Sequence, residues 1–173
     1  MLIQGIKSIK MGDCGADGAM GITLDTVFEN IVNDTCTVEL PKASVTSITP
    51  DDKPNPIAIL LDDSSVQKKI MFSTYNASPE MMAVLFGGTV AGNKWSAPTS
   101  MALKQQSVEL VSKDIDGFHD VMTAPKCAIV AGYTGKHNKK GLSEIAVEMY
   151  ILTPKDATGT DLSPVQKEKV PAV

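Results

Sequence analysis

Histidine is almost missing from this chain of 173 residues: His119 and His137 are the only two. Nucleophilic catalysis needs a nucleophile, a base within hydrogen-bond reach and a group that orients the base. His137 lies in the run KHNKK (136–140), which reads as a solvated loop tip. His119 stands beside Asp120 on a predicted strand, and adjacent strand residues point to opposite faces, so the two cannot form a simple dyad. No G-x-S-x-G elbow is present. Cysteine is scarce too. Cys14, Cys36 and Cys127 are scattered and odd in number, which predicts free thiols in a reducing compartment and no disulfide framework. They have no zinc-finger spacing, and Cys127 alternates with apolar neighbours, as a core residue would.

Other absences narrow the class further. No apolar run approaches the length of a membrane span, and no basic stretch followed by an apolar core opens the chain, so no signal peptide is expected. The net charge of −4 disfavours a nucleic-acid binder that works by neutralising phosphates. AGYTGK (131–136) lacks the first glycine of a phosphate loop, and Lys136 is followed by His137 instead of Ser or Thr. GGTVAG (87–92) reads as a turn and not a dinucleotide fingerprint. Asp13 and Asp17 sit in a glycine-rich loop (12–21) without the register or closing glutamate of an EF-hand. The chain is therefore expected to be no enzyme and to hold neither metal nor cofactor. There is no internal repeat and no heptad.

What the sequence does contain is organised around Lys68–Pro98. Ile70, Phe72 and Thr74 alternate with Met71, Ser73 and Tyr75, a strand pattern. Ser78 can N-cap a helix with Pro79 at its first position and Glu80 in its first turn. Gly87-Gly88 end it, so a single short helix is predicted over about 78–86. Met81, Met82, Val84, Leu85 and Phe86 make it apolar almost all round. It needs cover from its own sheet, from a neighbouring subunit, or from both.

Before this stretch, residues 1–11 read as a strand or extended arm, 22–32 as strand or helix, and 35–40 as a strand stopped by Pro41. TPDDKPNP (49–56) is a surface loop, followed by a short apolar strand at 57–61. After it, 101–111 reads as a strand. Met101 and Leu103 share a face but Val108 and Leu110 have the other parity, so a bulge is expected near Gln105–Ser107. Strand resumes at Phe118–Met122. Cys127, Ile129, Ala131 and Tyr133 alternate, as do Ile145, Val147, Met149 and Ile151, which predicts a long hairpin. The tail from Thr153 reads as an arm that a partner would order. The expected architecture is mainly β: a β-sandwich or partly closed β-barrel with one short flanking helix and extended loop and terminal arms. The β domain spans 1–155 and the arm 156–173.

The order of features has a parallel. A strand leads into NASPEMMAVLFGGTV and WSAP, and APKCAIVAGYTGK and KGLSEIAVEMYILTP follow, with SIKMGDCGADGAMG near the N-terminus. This resembles the major tail tube proteins of long-tailed bacteriophages with non-contractile tails. The resemblance covers roughly residues 5–155. It implies a virion structural subunit, made in the host cytoplasm, that self-assembles into hexameric rings stacked as a hollow tube. Its implied partners are further copies of itself and the tape-measure, tail-tip and tail-terminator proteins, with double-stranded DNA passing through and no membrane involved.

Ring-to-ring contacts would fall to the Thr49–Pro56 loop and the terminal segments. Candidate inter-subunit residues are Asp51, Asp52, Lys53 and Pro54, then Met82 and Phe86 on the helix, and Lys136, Lys139 and Lys140 at the hairpin tip. Glu109, Glu144 and Glu148, on the polar faces of long strands, are candidates to face the lumen and repel phosphates. The alternatives are another tail, head or tail-completion protein, the tube protein of a contractile injection system, or a ligand-binding or enzymatic β domain.

Overall fold

The computed structural model describes residues 5–51, 54–62, 66–136 and 141–172. In chain order the strands are β1 (Ile6–Asp13), β2 (Thr26–Phe28), β3 (Thr37–Glu39), β4 (Ser44–Ile48), β5 (Ala58–Asp62) and β6 (Lys69–Thr74). Helix α1 (Pro79–Phe86) follows, then β7 (Thr89–Ala91), β8 (Lys94–Ser96), β9 (Lys104–Ser112), β10 (Phe118–Thr134), β11 (Glu144–Ile151) and β12 (Gln166–Pro171). One sheet dominates, in the order β2-β1-β9-β10-β11-β6-β3, with β12 added alongside β10.

The cleanest alternation in the sequence forms the centre of this sheet. β10 and β11 pair antiparallel from Cys127↔Ile151 to Thr134↔Glu144. Ile129, Ile145, Val147 and Met149 point into the core with Ile70 and Phe72 of β6. The opposite face carries the polar alternates, as a half-buried antiparallel sheet requires.

The parity change expected along β9 does not occur, and the bulge beside Ser107 lies on the partner strand. Lys104, Gln106, Val108 and Leu110 keep one face along β9, while β10 shifts register between Ala124 and Cys127. Two residues of β10, Pro125 and Lys126, stand there against Ser107 alone, a β-bulge. Proline fits it because it has no N–H to give to a ladder. The buried Ser107 hydroxyl donates to the Pro125 carbonyl at 2.6 Å and accepts from Gly21 N–H at 2.9 Å. Met101 and Leu103 lie before β9 and are exposed, so they do not belong to the strand expected there.

The two flanks of the sheet meet. Phe28 of β2 and Phe72 of β6 stack edge to face with centroids 4.8 Å apart. The chain itself crosses this gap. β2 pairs with β1, and β3, next in sequence, pairs with β6. Between them Ile31 bridges Thr74, Val32 N–H donates to the Ser73 carbonyl at 2.8 Å, and Tyr75 N–H donates to the Asn30 carbonyl at 3.0 Å. The result is a mainly β, sandwich-like fold in which this crossing segment joins β2 to β6. The close approach of strand and loop near the N-terminus depends on glycine: a Cβ on Gly12 would collide with the carbonyl oxygen of Thr23.

α1 forms as expected. The Ser78 hydroxyl accepts from Met81 N–H at 3.3 Å, Pro79 opens the helix, and Gly87 ends it at φ 79°. Met81, Met82, Leu85 and Phe86 are buried in the core cluster. The C-terminal carbonyls of Ala83 and Val84 accept from the Lys104 ammonium at 3.1 and 2.6 Å. That places a cation where both the helix dipole and the orphan carbonyls favour it. The β7–β8 hairpin covers this end, with Trp95 Nε1 donating to the Gly87 carbonyl at 2.8 Å.

Two expectations change. The C-terminal segment is not a free arm: β12 pairs with β10 from Phe118↔Pro171 to Thr123↔Gln166, because β11 leaves that edge of β10 open. Its run Gln166–Pro171 holds four polar or charged residues before Val170 and no apolar alternation, which hid the strand. The apolar strand expected at 57–61 exists as β5, but its partner is β4, a strand the sequence reading left unassigned.

The crossing segment yields a test. Thr74 is fully buried, and its hydroxyl donates to the Glu29 carbonyl at 2.6 Å and accepts from Asn76 N–H at 3.0 Å. Thr74→Val keeps the shape and orphans both groups. The expected outcome is a loss of about 1–3 kcal/mol of unfolding free energy in urea at unchanged slope; an unmoved midpoint would show that the seam does not need this hydroxyl.

Candidate functional site

The surface that stands out is the β4–β5 hairpin. All ten residues of its two strands are exposed. Val45 faces Leu61 and Ser47 faces Ile59 on one side, while Thr46 faces Leu60 and Ile48 faces Ala58 on the other. Large aliphatic groups are therefore bare on both faces, with Leu61 74% exposed and Ile59 63%. A two-stranded hairpin is marginal in water without such surface being covered. Single exposed aliphatics are ordinary, but this clustering makes the hairpin the candidate interaction surface. The sequence signal was available in the β-branched residues Val45, Thr46 and Ile48 ahead of a proline-rich turn.

A second set of bare apolar residues lies towards the α1 end of the sheet. Met101, Leu103 and Leu142 are 65–68% exposed, and Tyr75, Tyr133 and Val90 are also exposed. Their placement follows from register: Tyr133 pairs with Ile145, which pairs with Thr74 next to Tyr75. Met101 and Leu103 precede Lys104, whose ammonium caps α1, and Val90 pairs with Trp95 over the helix end.

The individual candidates separate into several groups. Asp51 and Pro54 are exposed at the turn between β4 and β5. Asp52, Lys53, Lys139 and Lys140, and His137, lie outside the described residues. Met82 and Phe86, expected among the inter-subunit contacts, are instead 7% and 8% exposed and packed into their own subunit's core. The reason is that the curled sheet itself supplies the cover the helix needs. Lys136 lies 3.9 Å from Glu144, across the base of its loop.

Glu109, Glu144 and Glu148 share the sheet face opposite the core, since each alternates with core residues on its strand. That face is not uniformly acidic. Glu109 pairs with Lys10 at 3.1 Å, Glu39 with Lys69 at 3.7 Å, and both are directly opposed in register. The Tyr150 hydroxyl donates to Glu148 at 2.6 Å, and this hydrogen bond together with the carboxylate's charge raises the tyrosine pKa. His119 and Asp120 diverge as their strand positions require: Nδ1 of His119 lies 3.2 Å from Asp114, and Asp120 lies 3.0 Å from Lys167.

At the end opposite α1, a cavity of about 880 Å³ opens between the start of β1, the crossing segment, β9, β10 and β12. Its wall includes Ile6, Cys36, Val38, Leu110 and Met122, and its polar groups include Asp34, Asp120, Lys113 and Lys167. Among the described residues no group of three or more His, Cys, Asp or Glu could hold a metal ion, and no helix is long and apolar enough to cross a membrane. Compared with known proteins, the chain matches no family model and no curated sequence.

The three thiols are free. Burial pushes Cys36 up to about 11 and Cys127 up to about 12, from an ordinary 9.0. The folded chain thus keeps both protons above pH 9, where the unfolded chain releases them. The unfolded state then binds fewer protons, so stability falls as pH rises from about 9 through the folded values. Urea unfolding at pH 8, 9 and 10 is expected to show this decline and a shallower one in Cys36→Ala. A thiolate is the reactive form, so the part-exposed Cys14 is expected to alkylate before Cys36 and Cys127 in the folded protein. Equal rates at all three would contradict the burial described here.

Proposed function

We propose that this chain is a structural subunit that assembles with copies of itself into stacked rings, as the major tail tube protein of a long-tailed phage does. The observation that carries the reading is the β4–β5 hairpin, with apolar side chains bare on both faces. A surface of that kind gains by being covered, and the described part of the subunit leaves it uncovered. A mainly β domain with one buried helix is the architecture that the resemblance implies.

In this role the subunit is located in the virion tail, is assembled in the host cytoplasm, and works without cofactor or catalysis. Ring closure requires a heterologous interface, in which different patches of neighbouring copies meet. DNA passing through the tube would meet a protein whose sixteen basic residues are all lysine. It therefore has no guanidinium fork to grip phosphates in two-point fashion. If Glu109, Glu144 and Glu148 line the channel, Lys10 and Lys136 offset two of them, while Glu148, which accepts from the neutral Tyr150 hydroxyl, keeps its charge and repels a polyanion. Tape-measure, tail-tip and tail-terminator proteins would set where the tube starts and stops. The 880 Å³ cavity favours a second reading, a β domain that binds a small ligand, since it falls in the size range of ligand sites.

Electron microscopy of the concentrated protein, with light scattering on the same sample, separates the two readings. Hollow tubes or stacked rings are the expected result. A species that stays monomeric even with tail-tip proteins present would overturn it.

A further inference from the structure

The cavity of about 880 Å³ at the end opposite α1 changes character from floor to mouth. Leu110 of β9 and Met122 of β10, paired in register, make the floor. Ile6, Ile31, Cys36 and Val38 stand around them, half-buried and packed against the core cluster. The mouth is charged. Ser112 is buried there, and its hydroxyl accepts from Asp120 N–H at 2.9 Å and donates to the Lys113 carbonyl at 3.2 Å. Asp120, with a side chain 12% exposed, is neutralised by Lys167 of β12 at 3.0 Å. Lys113 has no such partner: among the described residues no carboxylate pairs with its ammonium. Its stem lies along Gly5, where a Cβ would come within 3.3 Å of the lysine Cδ and 3.6 Å of Nζ. The Lys113 N–H also donates to the Gly5 carbonyl at 3.2 Å, so this lysine is seated on the rim.

We infer that the cavity binds a small amphipathic carboxylate, with its hydrocarbon part on Leu110 and Met122 and its carboxylate on the Lys113 ammonium. The inference rests on the small-ligand reading of the cavity and names its ligand class. The apolar floor gains by covering a hydrocarbon chain, in proportion to the area removed from water. The charges select the head group. Lys113, Lys167 and Asp120 together put two cations and one carboxylate at the corner where β9, β10 and β12 meet, and that carboxylate is already paired. The other acid of the lining, Asp34, stands across the mouth on an exposed turn, closed by Thr35 N–H donating to the Val32 carbonyl at 3.4 Å. A cationic head would meet only that solvated carboxylate. An anionic head meets Lys113 with Lys167 behind it, and forms a charge-assisted hydrogen bond.

Titration calorimetry of the full chain with octanoate, octanol and octylamine tests the class with one chain length and three head groups. Octanoate is expected to bind tightest, with affinity rising about fourfold for each methylene added from hexanoate to octanoate. Lys113→Met keeps the stem and removes the charge at an exposed position, so its melting temperature should stay within about 2 °C of the parent. It should weaken octanoate about tenfold and leave octanol unchanged. Bound octanoate should also slow alkylation of Cys36, in the cavity wall, and not that of Cys14, which lines a separate cleft beside the glycine-rich loop. Octanol or octylamine binding as tightly as octanoate overturns the anionic class while the ligand reading stands. Octanoate binding that ignores Lys113→Met and leaves Cys36 unprotected overturns the placement in this cavity. No binding by any of the three overturns both the class and the ligand reading.

Discussion

The meeting of the two flanks of the sheet is the constraint on which the rest depends. An antiparallel sheet twists, and this one curls until β2 and β6 come together across Phe28 and Phe72. The chain secures the join by running across it, from β2 on one flank to β3 on the other, with Val32 N–H donating to the Ser73 carbonyl and Tyr75 N–H donating to the Asn30 carbonyl on the way. A curled sheet has an inside. That inside holds Ile9, Met11, Val108, Ile145, Val147 and Met149 at almost no exposure, and one of its ends takes the short helix.

Using the helix as a plug determines what is left for the outside. α1 gives Met81, Met82, Leu85 and Phe86 to the core, and Lys104 and Trp95 satisfy the carbonyls at its C-terminal end. A helix of eight residues is unstable alone; here packing on the inner face of the sheet compensates. The apolar residues that the core does not absorb lie on the β4–β5 hairpin and around the α1 end. The chain therefore combines a well-filled core with bare apolar surface.

The outer face of the sheet shows a different economy. Its acids are balanced by lysines placed directly opposite, Lys10 against Glu109 and Lys69 against Glu39. Exposed pairs of this kind add little stability. Their consequence is electrostatic: Lys10 and Lys69 offset the charges of Glu109 and Glu39 locally. The bulge at Pro125 also shapes this face, since it re-aims β10 and lets Ser107 lie buried under the glycine-rich loop on the side that would otherwise be open.

Strands with strict alternation were legible in the residues alone. The β10–β11 hairpin, β6, and α1 with its Ser78, Pro79 and Gly87 boundaries all follow from local rules, because alternation and capping depend on neighbours in sequence. The parity change between Met101/Leu103 and Val108/Leu110 did not signal the bulge, because Met101 and Leu103 precede β9; the bulge at Pro125–Lys126 of β10 follows from pairing with β9, which the residues of either strand alone do not record. β12 and β4 were missed for a related reason. Their residues face solvent or a single partner strand, so no burial pattern is imprinted on them. For the candidate site, the exposed turn at Asp51 and Pro54 and the shared face of Glu109, Glu144 and Glu148 could be read from turn chemistry and period. Whether Met82 and Phe86 faced a neighbour or their own core could not, because an all-round apolar helix fits both. Sequence by itself determined the elements whose signal is periodic or local. Only the tertiary structure decided which apolar surfaces were covered, since burial depends on where distant strands meet when the sheet curls.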